Sequence, residues 1–170
     1  MKRRLLLMMV ILLILTLAAC GEPPTVNSDF SGSFTVRYGN ADYNGTLTKD
    51  GGALTIVMTA PYTVEGMTFT YQGDALRIGY RGHETETTAG YLAEACIPSY
   101  LHNTLPYLPQ AEYVDTTDGV DRFTLPTPSG SAAVTASSGT LKSLTVAPNG
   151  LAFRFEGSMG DTAPDKALRN

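Results

Sequence analysis

The sequence predicts a mainly β protein with one helical segment (α+β). The expected architecture is a curved antiparallel sheet, or incomplete β-barrel, with helix covering the concave face. Three observations predict it. Apolar and polar residues alternate with period two from Phe30 onward, the mark of strands with one buried face. Gly, Asn and Asp punctuate that alternation at short intervals, as hairpin turns require. Between Thr88 and Leu108 the period becomes helical, with strand patterns on both sides. A sheet with one apolar face must bury it against something, and this segment is the available cover.

The elements follow in order. Phe34, Val36 and Tyr38 alternate with Thr35 and Arg37, and the pattern resumes at Tyr43, Gly45 and Leu47 after a turn at Gly39-Asn40. Asp50-Gly51-Gly52 signals a hairpin into Leu54, Ile56 and Met58, and Pro61 ends that strand. Met67, Phe69 and Tyr71 lead through Gln72-Gly73-Asp74 to Leu76, Ile78 and Tyr80, and Arg81-Gly82 is a turn. β-branched and aromatic residues fill these runs, as strands prefer. Tyr91, Leu92, Ala95 and Cys96 share one helical stripe, with Thr88 as the expected cap and Pro98 ending or kinking the helix near Ile97. A second short helical turn is expected from Ser99 to Leu105 with Pro98 at its first position, stopped by Pro106 and Pro109. Strands resume at Val120–Leu125, Ala132–Ala136, Leu141–Val146 and Leu151–Phe155, with Pro148-Asn149-Gly150 turning between the last two.

The first twenty residues carry an address. Lys2, Arg3 and Arg4 precede an apolar run from Leu5 to Leu15, well short of the ~20 residues of a spanning helix. Leu17-Ala18-Ala19-Cys20 closes it, and Gly21, Pro23 and Pro24 follow. This has the parts of a secretory signal peptide, and the small-small-Cys ending resembles the lipobox of bacterial lipoproteins. The resemblance implies cleavage before Cys20, acylation of its sulfur and an extracytoplasmic, membrane-anchored protein. Several acyl chains would hold it stably, at ~0.8 kcal/mol per buried CH2. The resulting division is a signal peptide at 1–19, lipidated Cys20 with a tether to residue 29, a β-rich domain at 30–157 and a polar tail at 158–170.

Removing residues 1–19 takes three of the twelve basic residues and none of the sixteen acidic ones, which leaves nine against sixteen and a formal charge near −7. Such a surface repels phosphate backbones, so no nucleic-acid partner is expected. The membrane contact then comes from the lipid. Only Cys20 and Cys96 exist. With Cys20 acylated, Cys96 has no intramolecular partner, and a disulfide-stapled fold is excluded.

The strand pair Gly66-Met67-Thr68-Phe69-Thr70-Tyr71 and Leu76-Arg77-Ile78-Gly79-Tyr80, followed by helix, makes the stretch from Phe34 to Leu105 resemble the LolA/LolB-type lipoprotein carriers. That family's fold is an incomplete barrel plugged by helix. The resemblance implies an apolar cavity that takes acyl chains.

The residues suited to line such a cavity are Phe34, Tyr38, Met58, Met67, Phe69, Tyr71 and Tyr80 on the sheet, with Tyr91 and Leu92 on the helical segment. Met and aromatic walls adapt to acyl chains; the same row also suits an ordinary packed core. The polar clusters read as surface. His83-Glu84-Thr85-Glu86 is expected to be a solvated loop. Asp115 to Asp121 spaces its carboxylates at three, where a calcium loop needs every second position, so it is expected to be an acidic hairpin tip. Asn44-Gly45 is expected to mark a turn or bulge. Cys96 and His102 stand six apart with Pro98 between, and helical geometry does not pair them.

No nucleophile elbow, clustered His/Cys ligand set or phosphate loop is present, so no enzyme activity, metal or cofactor is expected. Two functions remain. One is a membrane-anchored lipoprotein binding lipid or another hydrophobic ligand between sheet and helix. The other is a structural or protein-interaction lipoprotein of the cell envelope with a solid core.

Overall fold

The computed structural model describes residues 23–128, 130–146 and 150–157. Among them run eleven strands: β1 (Phe30–Tyr38), β2 (Ala41–Asp50), β3 (Ala53–Ala60), β4 (Thr68–Gln72), β5 (Ala75–Tyr80), β6 (His83–Thr88), β7 (Glu112–Thr117), β8 (Val120–Thr127), β9 (Gly130–Ser137), β10 (Thr140–Val146) and β11 (Leu151–Glu156). Between β6 and β7 lie a 3-10 turn η1 (Ala89–Tyr91), an α-helix α1 (Ile97–Thr104) and a 3-10 segment η2 (Leu105–Gln110).

All eleven strands form one antiparallel sheet in the order β6-β5-β4-β3-β2-β1-β11-β10-β9-β8-β7. The two ends of the chain's strand region meet at the centre, where Phe34 pairs with Phe155 and Val36 with Phe153. The helical segment connects the two outer edges, β6 and β7. The sheet is open and curved. Register shifts place an extra residue at Thr59 in β3, Lys142 in β10 and Val114 in β7, and such bulges bend a strand and increase its twist.

Alternation puts one face inside. Phe34, Val36, Leu47, Leu54, Ile56, Met58, Phe69, Tyr71 and Leu76 are buried on one half, and Phe123, Leu125, Ala132, Val134, Ala136, Leu144 and Phe153 on the other. Gly45 has a specific role in this face. A Cβ there would lie 2.6 Å from the Phe34 ring and 2.7 Å from the Val57 carbonyl oxygen. Only glycine lets the ring cross β2. The Asn44-Gly45 pair therefore marks a register shift inside a strand. At the β7–β8 hairpin, Asp118 and Gly119 have φ of 53° and 75°, the left-handed pair that a two-residue turn matching strand twist needs.

Three expectations need correction. The stripe Tyr91, Leu92, Ala95 and Cys96 does not form a helix: only Ala89–Tyr91 make a 3-10 turn, and the α-helix is the Ile97–Thr104 stretch with Pro98 in its first turn. Gly90 and Pro98 leave too few residues between them for the costly nucleation of a helix. The other expected turn, Ser99 to Leu105 with Pro98 at its first position, does form as part of this helix, because proline is compatible with a helix start, where its missing N–H costs nothing. His83–Glu86 is not a loop but part of edge strand β6, registered on β5 with Arg77 opposite Glu86. Finally, the segment expected to hang as a tether is partly bound to the domain. Val26 is buried, the Asn27 N–H donates to the Gly139 carbonyl at 3.0 Å, and Lys49 donates to the Ser28 carbonyl at 2.7 Å. Cys20 and the signal segment lie outside the described residues, as does the tail from 158.

Candidate functional site at the sheet–helix interface

Helix α1 and segment η2 lie over the inner face and present Ile97, Leu101, Leu105 and Leu108, all buried. Their spacing of four, four and three is a helical stripe. Part of this stripe was expected as the Ser99–Leu105 turn, but Pro106 and Pro109 read as its stop and hid the continuation to Leu108. Segment η2 rests on β8. Helix α1 meets the opposite half, where the His102 ring stacks on Tyr71 of β4 with centroids 4.1 Å apart and planes 17° off parallel.

Tyr71 is the centre of a polar spot on this apolar face. It is 1% exposed. Its hydroxyl is, among the described residues, the buried side-chain polar atom without a hydrogen-bond partner. Burial, seconded by electrostatic repulsion from Cys96, pushes its pKa up to about 12, and the nearby Ser99 hydroxyl offsets this in part without meeting it in hydrogen-bond geometry. Ser99 is itself buried and shares a 3.1 Å hydrogen bond with the Cys96 sulfur. Thr104, 1% exposed, is the other buried hydroxyl of the helix. An unpartnered buried hydroxyl costs roughly 1–3 kcal/mol.

The expected cavity-lining residues divide into three groups. Phe34, Met58, Phe69 and Tyr71 are buried on the inner face. Met67 and Leu92 are partly buried against the core, with Tyr43, Ile78, Tyr100 and Tyr107. All six pack against the core while keeping part of their surface exposed, and form a half-buried rim to it. Tyr80 is half-buried, with the Arg81 guanidinium 5.0 Å from its ring centroid. Tyr38 and Tyr91 do not belong to the interior. Tyr38 is at the strand end, 39% exposed and packed edge-on against Tyr43, and Tyr91 is 71% exposed because the helix expected to carry it inward does not form. Ser99, Thr104 and His102 join the site through α1, the short helical turn expected from Ser99 to Leu105, although none of them was expected to line it.

The acidic clusters lie away from this interface. Glu86 accepts a 2.6 Å hydrogen bond from Arg77. Asp115 is held by a two-pronged contact from Arg122 across the β7–β8 pair, which keeps its carboxyl below the usual range. Asp121 accepts from Thr116 at 2.6 Å. Among the described residues, no three His, Cys, Asp or Glu side chains are grouped to hold a metal, and no helix is long and apolar enough to cross a membrane.

No protein-family model matches the sequence, and no curated protein does. Solved structures similar to it include a LolA superfamily protein from Nitrosomonas europaea, 11% identical, with 84% of this chain and 90% of that chain covered at a TM-score of 0.44. Another is the structure of the CwlD amidase from Clostridioides difficile in complex with the GerS lipoprotein, 17% identical, with 71% of this chain and 76% of that chain covered at a TM-score of 0.40.

Proposed function

We propose that this is an exported, Cys20-lipidated, LolA-like protein that binds a hydrophobic ligand between its sheet and helix. The ligand is an acyl chain with a polar end. The carrying observation is the Tyr71 hydroxyl, buried and unpartnered within an apolar face. A carboxyl or ester oxygen reaching that hydroxyl would satisfy it, while the chain lies among Met58, Met67 and Phe69. The cover is suited to opening. Helix α1 has only eight residues, too few to be stable without packing, and its Tyr100 is only partly buried against the core.

The test uses the full chain carrying Cys20→Ser, so that no anchor lipid confuses the result. Mass spectrometry of its organic extract should recover fatty acid or phospholipid, and a fluorescent fatty acid should bind the delipidated protein. Tyr71→Phe should weaken that binding about tenfold, the equivalent of one hydrogen bond. An empty extract together with no binding of the probe would overturn the reading. The anchor is tested separately. The parent's mature terminus should carry acyl mass on Cys20, and the Cys20→Ser form should leave the membrane fraction.

The second reading, an envelope interaction protein, is favoured by edge strand β7, where Tyr113 and Val114 are 40% and 57% exposed. It requires a protein partner that is retained through mild detergent and lost on Val114→Lys.

A further inference from the structure

The outer face of the sheet carries a second feature, on the opposite side from the helix. A groove of about 500 Å³ runs over β2, β1 and β11 at their Tyr38, Ala41 and Leu151 ends, between Arg37, Asp42, Asn44, Thr35, Ala152 and Arg154. The rest of this face is mostly Ser and Thr, and its other arginines are neutralised. Arg77 is bound to Glu86 and Arg122 to Asp115. Arg154 is different. Its neighbours across the strands are Thr35 and Ser143, so no carboxylate stands opposite it, and among the described residues it makes no ion pair. Glu156, two residues along the same face, is not paired with it either. Asp42 is engaged at 3.9 Å by Arg37. The groove therefore holds two guanidinium groups against one carboxylate, in a chain whose acidic residues outnumber its basic ones by sixteen to twelve.

We propose that this groove binds a small hydroxylated monocarboxylate. The planar fork of Arg154 matches a carboxylate through two parallel hydrogen bonds. Beside it, the Thr35 hydroxyl and Asn44 amide both donate and accept, as the hydroxyl groups of such a ligand need. Asp42 adds a like charge nearby, which favours one negative charge over a phosphate dianion. The volume falls within the ~300–1,000 Å³ of small-molecule sites. Thr35 is paired on both sides, with Asn44 and with Arg154, so the backbone of these three positions is held in register. Arg37 and Asp42 side chains are 73% and 75% exposed. The affinity is accordingly weak and sensitive to salt.

The experiment is an NMR titration of the full chain in detergent with sodium glucuronate, against glucose and inorganic phosphate. Glucuronate should shift the Thr35, Asn44 and Ala152 amides with a Kd of about 1 mM, and more weakly at high salt. Arg154→Gln should weaken it at least ~10-fold, while Arg122→Gln on the same face should not change it. Thr35→Val, which keeps the charge, should weaken it by a smaller factor. Glucose titrating like glucuronate, phosphate titrating like glucuronate, an unchanged Arg154→Gln, or no shift at ~20 mM would each overturn the proposal. Because the groove and the Tyr71 site lie on opposite faces, failure here leaves the acyl-binding reading untouched.

Discussion

The six-stranded half of the sheet, β1 to β6, and the five-stranded half, β7 to β11, bury the same helical segment with different materials. On the five-stranded side β9 offers Ala132, Val134 and Ala136 to the interior, and η2 lies on β8 with Leu105 and Leu108 at no more than 1% exposure. All of these side chains are apolar and buried. On the six-stranded side the inner face is built from Phe34, Ile56, Met58, Phe69 and Tyr71. There α1 meets a stacked Tyr71–His102 pair and an unsatisfied hydroxyl, with Met67, Leu92 and Tyr100 only partly covered. One end of the cover is anchored and the other is imperfectly seated. A cover that opens needs both.

The largest effect should separate the two ends directly. Leu105→Ala should cost about 2–5 kcal/mol in denaturant unfolding, because it leaves a hole in a fully buried contact. Met67→Ala, at the half-buried rim, should cost clearly less. Equal losses would erase the contrast.

Alkaline pH tests the imperfect end alone. The Tyr71 pKa is raised from 10.0 to about 12 in the folded chain. The folded state therefore keeps this proton where the unfolded chain has lost it. The associated stability is complete below pH 10 and disappears as pH rises through 12, a loss on the order of 2–3 kcal/mol. Unfolding midpoints across that window should fall more steeply in the parent than in Tyr71→Phe, and parallel curves would refute the assignment.

Gly45→Ala should destabilise by about 1–3 kcal/mol through overpacking, since the new methyl group meets both the Phe34 ring and the Val57 backbone oxygen. A neutral result in a melting experiment would mean that the six-stranded face is loose at its centre as well as at its margin. The smallest effect has the opposite sign. Tyr71→Phe removes an unpaired buried hydroxyl and should leave the ligand-free protein as stable as the parent, or more so by up to ~1 kcal/mol. The same change that weakens acyl binding would then strengthen the fold, as expected where a site is maintained at the expense of stability. Lowered stability of Tyr71→Phe would instead show that the hydroxyl already has a partner.

Much of the sheet was legible because the signals are local. Alternation in Leu54-Thr55-Ile56-Val57-Met58 marks a strand by itself, and so does Gly51-Gly52 as its turn. Strand β7 was not legible, because Glu112-Tyr113-Val114-Asp115 is broken by a bulge and buries little. Strand β6 was not either, because His83-Glu84-Thr85-Glu86 is polar on both faces and owes its strand to backbone pairing with β5. Of the two helical stretches expected, the Tyr91–Cys96 stripe does not form a helix and the Ser99–Leu105 turn does, within α1. Only the later one, from Ile97 to Leu108, finds a surface to pack on. For the site, the residue types were visible but not their company. Ser99 and His102 join Tyr71 through a helix on the far side of a hairpin, and Tyr38 and Tyr91 are excluded by their ends.

By itself the sequence determined which residues alternate, where the chain turns, that the body is acidic and that the interior is aliphatic and aromatic. These follow from the side chains' own chemistry and their spacing. The tertiary structure decided which stripe became the cover, why position 45 must be glycine, and that one hydroxyl is buried without a partner. Those outcomes depend on what stands across the sheet, tens of residues away in the chain, and no local pattern contains that distance.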